Sequence, residues 1–209
     1  MKINKFTYTT FKAKPIYPIN LKAVSQAGKE QFVPAFFSEI SNLDKDDVEL
    51  VEKINSSWQT SPGVDNYAPV ICKHFMNNKN KEYSNRYYVT ELVDKSTSQL
   101  EKVKSIIETT NPDFSCKTNF YIDYIQSASQ NLDKITPQVK GAGALAIYGA
   151  VKLARDNNFD FVKIFSINDD FYDAIGLKST VEASDIASYY ELSIDEYDSF
   201  LKQIEEKYR

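Results

Sequence analysis

Gly141 and Gly143 stand between a polar stretch ending in Gln138, Val139 and Lys140 and a long segment of apolar periodicity. Glycines two apart let a backbone turn with its amides outward, and no side chain then blocks close approach of a ligand. A helix beginning directly after them adds free N–H groups and the positive end of its dipole. The chemistry such a turn supports is anion binding. A phosphate or pyrophosphate would be held by N–H groups around Val139, Lys140, Gly141, Ala142, Gly143 and Ala144, with Lys140 adding a point charge.

Gly141, Gly143 and Ala146 also satisfy the dinucleotide-binding fingerprint. That motif needs a buried strand running straight into the first glycine and further strand–helix units behind it. The residues before Gly141 are polar and interrupted by Pro137, and little chain follows. A Walker loop is excluded, because no Gly-Lys-Ser/Thr follows the glycines.

A third reading is a resemblance. Gln138, Gly141 and Gly143 match the Q/R-x-x-G-x-G/A loop of the GNAT acetyltransferase superfamily. Downstream, Asn168, Phe171, Tyr172, Gly176 and Leu177 resemble that family's second signature, in the order and at the distance the family places it. The likeness covers about 119–178. It departs from many members in the longer loop over 127–138.

The resemblance implies an α/β (mixed α+β) GNAT-like fold: a mostly antiparallel sheet with splayed central strands and flanking helices. It implies a single domain over 1–209, with an acceptor-side half over 1–118, an acetyl-CoA-binding core over 119–178 and a final strand and helix over 179–209. The implied activity is transfer of acetyl from acetyl-CoA to an amine by direct attack. Ile125 and Ser127 would offer backbone hydrogen bonds to the pantetheine arm, Asn168 would bind the coenzyme backbone, and Phe171 would pack beside it. Tyr172 takes the family position of the general acid that protonates the leaving thiolate. A catalytically silent acyl-CoA-binding domain and a dinucleotide oxidoreductase are the rival readings.

The attacking amine must also lose a proton. Asp123, two residues before Ile125 and on the same face of a regular strand, and Glu91 on the preceding hairpin are the candidate bases. His74, the sole histidine, has no partner pattern and reads as structural.

The elements that must position these groups follow from periodicity. Alternation over 2–26 suggests one or two strands, and Phe32, Phe36, Phe37 and Ile40 suggest a short helix within 27–41. Helices are expected from Asp44 to Asn55 and over 67–77, and a hairpin of strands over 86–93 and 100–108. Then come a strand at 119–127, a helix at 142–157 and a strand at 159–167, whose continuous apolar run suggests cover on both faces. A short aromatic helix follows, and Ser193 with Glu196 forms a capping box that opens a last helix.

The 209 residues, 42% hydrophobic, suffice for one domain with a substantial core. A net charge of −4 argues against nucleic-acid or anionic-membrane partners and suits a cationic amine acceptor, small molecule or protein. No apolar run reaches membrane-spanning length, no signal-peptide core opens the chain, and Cys72 and Cys116 lack metal-ligand spacing, so a cytoplasmic location is expected and no metal. The acceptor's identity and the oligomeric state are not legible in the sequence.

Overall fold

The computed structural model describes residues 13–25, 28–59, 65–78, 85–93, 98–110, 117–129, 139–166, 169–184 and 187–208. Gln138 and Asn168, both expected at the cofactor, lie outside the described residues, as does Cys116.

Strands β1 (Lys14–Val24) and β2 (Glu30–Ile40) open the described chain as an antiparallel pair. The expected helix over 27–41 is therefore a strand. The spacing of Phe32, Phe36 and Ile40 mimics a helical stripe, but the buried positions alternate. Ala35 and Phe37 enter one core, whereas Ile40 enters the other. Helices α1 (Lys45–Ser57) and α2 (Ala68–Asn77) follow as expected. The Asp44 side chain accepts from the Asp46 N–H at 2.9 Å to start α1.

Strand β3 (Asn85–Leu92) leads to β4 (Val103–Thr110), but the returning strand does not begin at Leu100. One helical turn, α3 (Gln99–Lys102), comes first, fixed by a capping box between Ser98 and Glu101. Strand β5 (Asn119–Ser127) is as expected, and the two-residue β6 (Val139–Lys140) leads into α4 (Ala142–Asp156). Strand β7 (Phe161–Ser166), helix α5 (Asp169–Ala174), strands β8 (Ser179–Ser184) and β9 (Ala187–Ser193), a 3-10 turn (Ile194–Glu196) and α6 (Tyr197–Tyr208) complete the fold. The Glu196 carboxylate accepts from the Ser193 N–H at 2.9 Å and hydroxyl at 2.7 Å, so the expected capping box is present.

Among the described residues the strands form one nine-stranded sheet, ordered β6-β1-β2-β3-β4-β5-β7-β9-β8. Every neighbouring pair is antiparallel except β5 and β7. One face packs against α4 and α6, with Leu21, Phe37, Phe120, Ile147, Val162 and Ile204 among its buried residues. The other face is covered by α1 and α2 over Tyr87, Val89 and Ile106. That cover does not extend over β7. Val162 and Ile164 are buried, but Phe165 is 53% exposed beside Tyr189 on β9. The continuous apolar run of β7 thus does not signify burial on both faces. Among the described residues no helix is long and apolar enough to cross a membrane.

Candidate active site

Strands β5 and β7 pair only from Asn119 opposite Phe161 to Ile122 opposite Ile164. Beyond that point β5 runs on to Ser127 with its other edge still paired to β4. A bulge marks the parting. Tyr124 faces Glu108 and Ile122 faces Thr109, which leaves Asp123 as the extra residue. The result is a gap in mid-sheet, bordered by the 123–127 edge of β5.

The start of α4 closes one end of this gap. Gly141 sits at φ +81°, a left-handed conformation that glycine adopts freely, and a Cβ there would strike the Tyr208 ring. Its absent side chain therefore serves the turn and the packing of α6. Gly143 does face the gap, and a Cβ on it would lie 3.2 Å from Phe171 Cζ and 3.4 Å from Ser127 Oγ. Ser127, Gly143 and Phe171 are thus brought together from three elements. Among the described residues no carbonyl accepts from the N–H groups of Ala142, Gly143 or Ala144, whereas Leu145 already bonds the Gly141 carbonyl at 2.9 Å. First-turn amides with no carbonyl partner among the described residues suit a pyrophosphate, and the gap suits an extended chain added beside β5. Lys140 contributes less than expected, because its ammonium is paired with Glu30 at 2.6 Å. Ile125 packs against the α4-side core, and Val139 pairs with Ala23 on β1.

Tyr172 is buried at the gap, its ring 4.9 Å from Phe171 and 5.1 Å from Tyr190. Burial raises its phenol well above the ordinary tyrosine value, and the Tyr67 and Tyr190 hydroxyls add to the effect. Among the described residues no group hydrogen-bonds the Tyr172 hydroxyl. It is a protonated, uncommitted donor.

The two expected bases fare differently. Glu91 lies on β3, two strands from the gap, buried and bonded by the Ser38 hydroxyl at 2.5 Å. Burial pushes its carboxyl up to about 7, against the pull of that hydrogen bond. The structure does not bring Glu91 to Tyr172. Asp123 does border the gap, but the bulge takes it off the face of Ile125. It lies with Thr110, His74 and Glu108 on the α2 side, where burial raises its carboxyl while Thr110 and His74 oppose the rise. One of its carboxylate oxygens, Oδ2, is buried without a hydrogen-bond partner among the described residues.

Residues to which sequence reasoning assigned no site role complete this side. The Tyr67 N–H donates to Gln126 Oε1 at 2.8 Å, and the Tyr67 ring lies 5.7 Å from that of Tyr124. His74 meets Glu108 across 34 residues of sequence, a separation no spacing rule detects. Cavities of about 380 Å³, beside Arg86 and Phe159, and 230 Å³, beside Tyr148 and Tyr208, lie away from the gap. The dinucleotide reading finds no doubly wound sheet, since the strand leading into Gly141 is a two-residue edge strand beside β1.

No protein-family model matches the chain, and no curated protein matches its sequence. Solved structures do resemble it. A protein assigned to the GNAT acetyltransferase family from Desulfovibrio desulfuricans aligns over 77% of this chain and 99% of its own, at TM-score 0.50 and 13% identity. Tetrahymena GCN5 aligns over 76% and 95%, at TM-score 0.50 and 11% identity. A protein described as an acetyltransferase aligns over 84% and 94%, at TM-score 0.55 and 8% identity. The parted parallel strands, the glycine turn into α4 and these likenesses agree: the chain has the GNAT acetyltransferase fold.

Proposed function

We propose that the protein binds acetyl-CoA in the gap between β5 and β7 and transfers its acetyl group to an amine. The observation that carries this reading is the convergence of Ser127, Gly143 and Phe171 on the gap beside the uncommitted Tyr172 hydroxyl. The bound thioester would supply an activated acyl carbon and a thiolate leaving group. First-turn N–H groups of Ala142, Gly143 and Ala144 hold the pyrophosphate, and Lys140, released from Glu30, adds charge. The backbone of Ile125 and Ser127 holds the pantetheine arm as an added strand. An N–H within 125–127 would face the thioester oxygen, where negative charge gathers as the amine adds to the acyl carbon, before it passes to the departing sulfur. Tyr172 gives its proton to the departing sulfur.

Calorimetry with coenzyme A, acetyl-CoA and NADH, followed by transfer of labelled acetyl to amines, tests the reading. Affinity for the two coenzyme A species and none for NADH is expected, with labelled amide as product. Folded protein without affinity for coenzyme A would end it. Binding without transfer to any amine would favour a silent acyl-CoA-binding domain.

A further inference from the structure

His74 lies on α2, and its Nδ1 faces the Glu108 carboxylate at 3.0 Å from Oε2 and 3.2 Å from Oε1. Glu108 is itself fixed. Asn85 donates to its Oε1 at 2.7 Å, and the Tyr87 hydroxyl lies 3.4 Å away. A carboxylate acceptor at Nδ1 keeps the proton on that nitrogen of the neutral ring, which leaves the lone pair on Nε2. The Glu108 side chain is 1% exposed and that of His74 is 40% exposed. The dyad is sealed at its carboxylate end and open at its imidazole end.

Its position matters more than its geometry. The His74 ring stands edge-on to Tyr124 at 5.7 Å, and Tyr124 packs against Tyr67 at 5.7 Å. Tyr124 follows the bulge at which β5 leaves β7, and Tyr67 is tied by its N–H to Gln126 on the same free stretch of β5. The rings of Tyr124 and Tyr67 therefore continue from His74 along the α2 side of β5, beside the point where the gap opens. Asp123 also lies beside the ring, its Oδ2 without a hydrogen-bond partner among the described residues.

We propose that His74, oriented by Glu108, is the base that takes the proton of the acceptor amine, so that base and acid reach the gap from opposite faces of the sheet. The proposal rests on the acetyl-transfer reading. The amine nitrogen bonds to the acyl carbon as the carbon–sulfur bond breaks. The nitrogen's proton passes to Nε2 of His74, and Tyr172 gives one to sulfur. Exchange with solvent restores both side chains, so thioester and amine become amide and thiol. Asp123 and the faces of Tyr67 and Tyr124 favour a cationic amine in this position.

The same contact could simply fasten α2 to β4, and the experiment separates the two roles. His74 is the only histidine, so its nitrogen-15 spectrum needs no assignment. The neutral ring should carry its proton on Nδ1 in wild type and lose that preference in Glu108→Gln. Thiol release from acetyl-CoA is then followed with n-butylamine, benzylamine and spermidine at one fixed pH. His74→Gln can still donate to Glu108, so a fastening role survives in it. It should keep coenzyme A affinity and its melting temperature and lose turnover about 10²- to 10⁴-fold. His74→Gln with wild-type turnover, or a wild-type ring protonated on Nε2, overturns the proposal. Wild type that binds coenzyme A yet releases no thiol with any of the three amines also overturns it and leaves the cofactor site standing. Failure to bind coenzyme A removes the underlying reading instead.

Discussion

Ile122 and Ile164 are the last residues at which β5 and β7 face each other across a hydrogen-bonded ladder. From there the 123–127 edge of β5 is held only from the β4 side, up to Ser105 opposite Ser127. An extended ligand in the gap would complete that edge as a strand would. Amide exchange should therefore slow within 123–127 on addition of acetyl-CoA, while the already paired Phe120 and Ile122 stay unchanged. Equal protection of both groups, with and without acetyl-CoA, would place the ligand elsewhere.

The two glycines of the turn should separate in their effects. Gly141→Ala forces a left-handed conformation on a side chain and drives it into Tyr208, so we expect a loss of stability of at least about 1–2 kcal/mol. Gly143→Val instead pushes methyl groups towards Phe171 and Ser127, into the mouth of the gap. Coenzyme A affinity should fall roughly tenfold or more, about 1.4 kcal/mol, beyond any change in the unfolding midpoint. Denaturant titration beside calorimetry reads both. Equal affinity in Gly143→Val and wild type would remove that glycine from the site.

What was legible in the sequence was local. The glycine turn, the helix beginning at Ala142 and the aromatic helix carrying Tyr172 are contiguous signals, and each is where the spacing puts it. What was not legible depends on partners distant in sequence. Phe32, Phe36 and Ile40 look helical until β1 and β3 pair with β2. The bulge at Asp123 follows from the register against β4, so the expected shared face with Ile125 was sound for a regular strand and fails for this one. Two local signals were missed: the turn at Gly28 that joins β1 to β2, and the Ser98–Glu101 capping box that delays β4 to Val103.

Cys72 should be chemically silent. It is buried on α2, its thiol directed at the Val51 carbonyl, and burial pushes its pKa up to about 12. The thiolate is the reactive species, so the native protein should leave Cys72 unmodified by an aromatic disulfide reagent until it unfolds. A Cys116→Ser background isolates the residue. Rapid labelling there would show that the α1–α2 layer opens readily.

Tyr172→Phe removes one hydroxyl for which no partner exists among the described residues, while the ring keeps its contacts with Phe171 and Tyr190. Stability should move by less than about 1 kcal/mol, since no intramolecular hydrogen bond is lost. Coenzyme A should bind as before, and acetyl transfer should fall by about 10²- to 10⁴-fold, the usual range for a lost general acid. Unchanged turnover would reject the acid role.

Glu91 gives the clearest dependence of stability on pH. Its carboxyl is raised from 4.5 to about 7, chiefly by burial. Well below 4.5 the group is protonated in both states and places no burden on folding. As pH rises, the unfolded chain ionises first while the folded protein holds its proton, so stability declines until Glu91 itself ionises near 7. The full decline is about 3 kcal/mol, and it lies between those two values. Glu91→Gln keeps an acceptor for the Ser38 hydroxyl and cannot ionise. The variant should match wild type in acid and exceed it in unfolding free energy at about pH 8 by up to about 3 kcal/mol. Urea titrations of both proteins at the two extremes measure the difference, and other titrating carboxylates cancel in it. A variant no more stable than wild type at the higher pH would mean that water or a neighbouring cation already solvates the Glu91 charge.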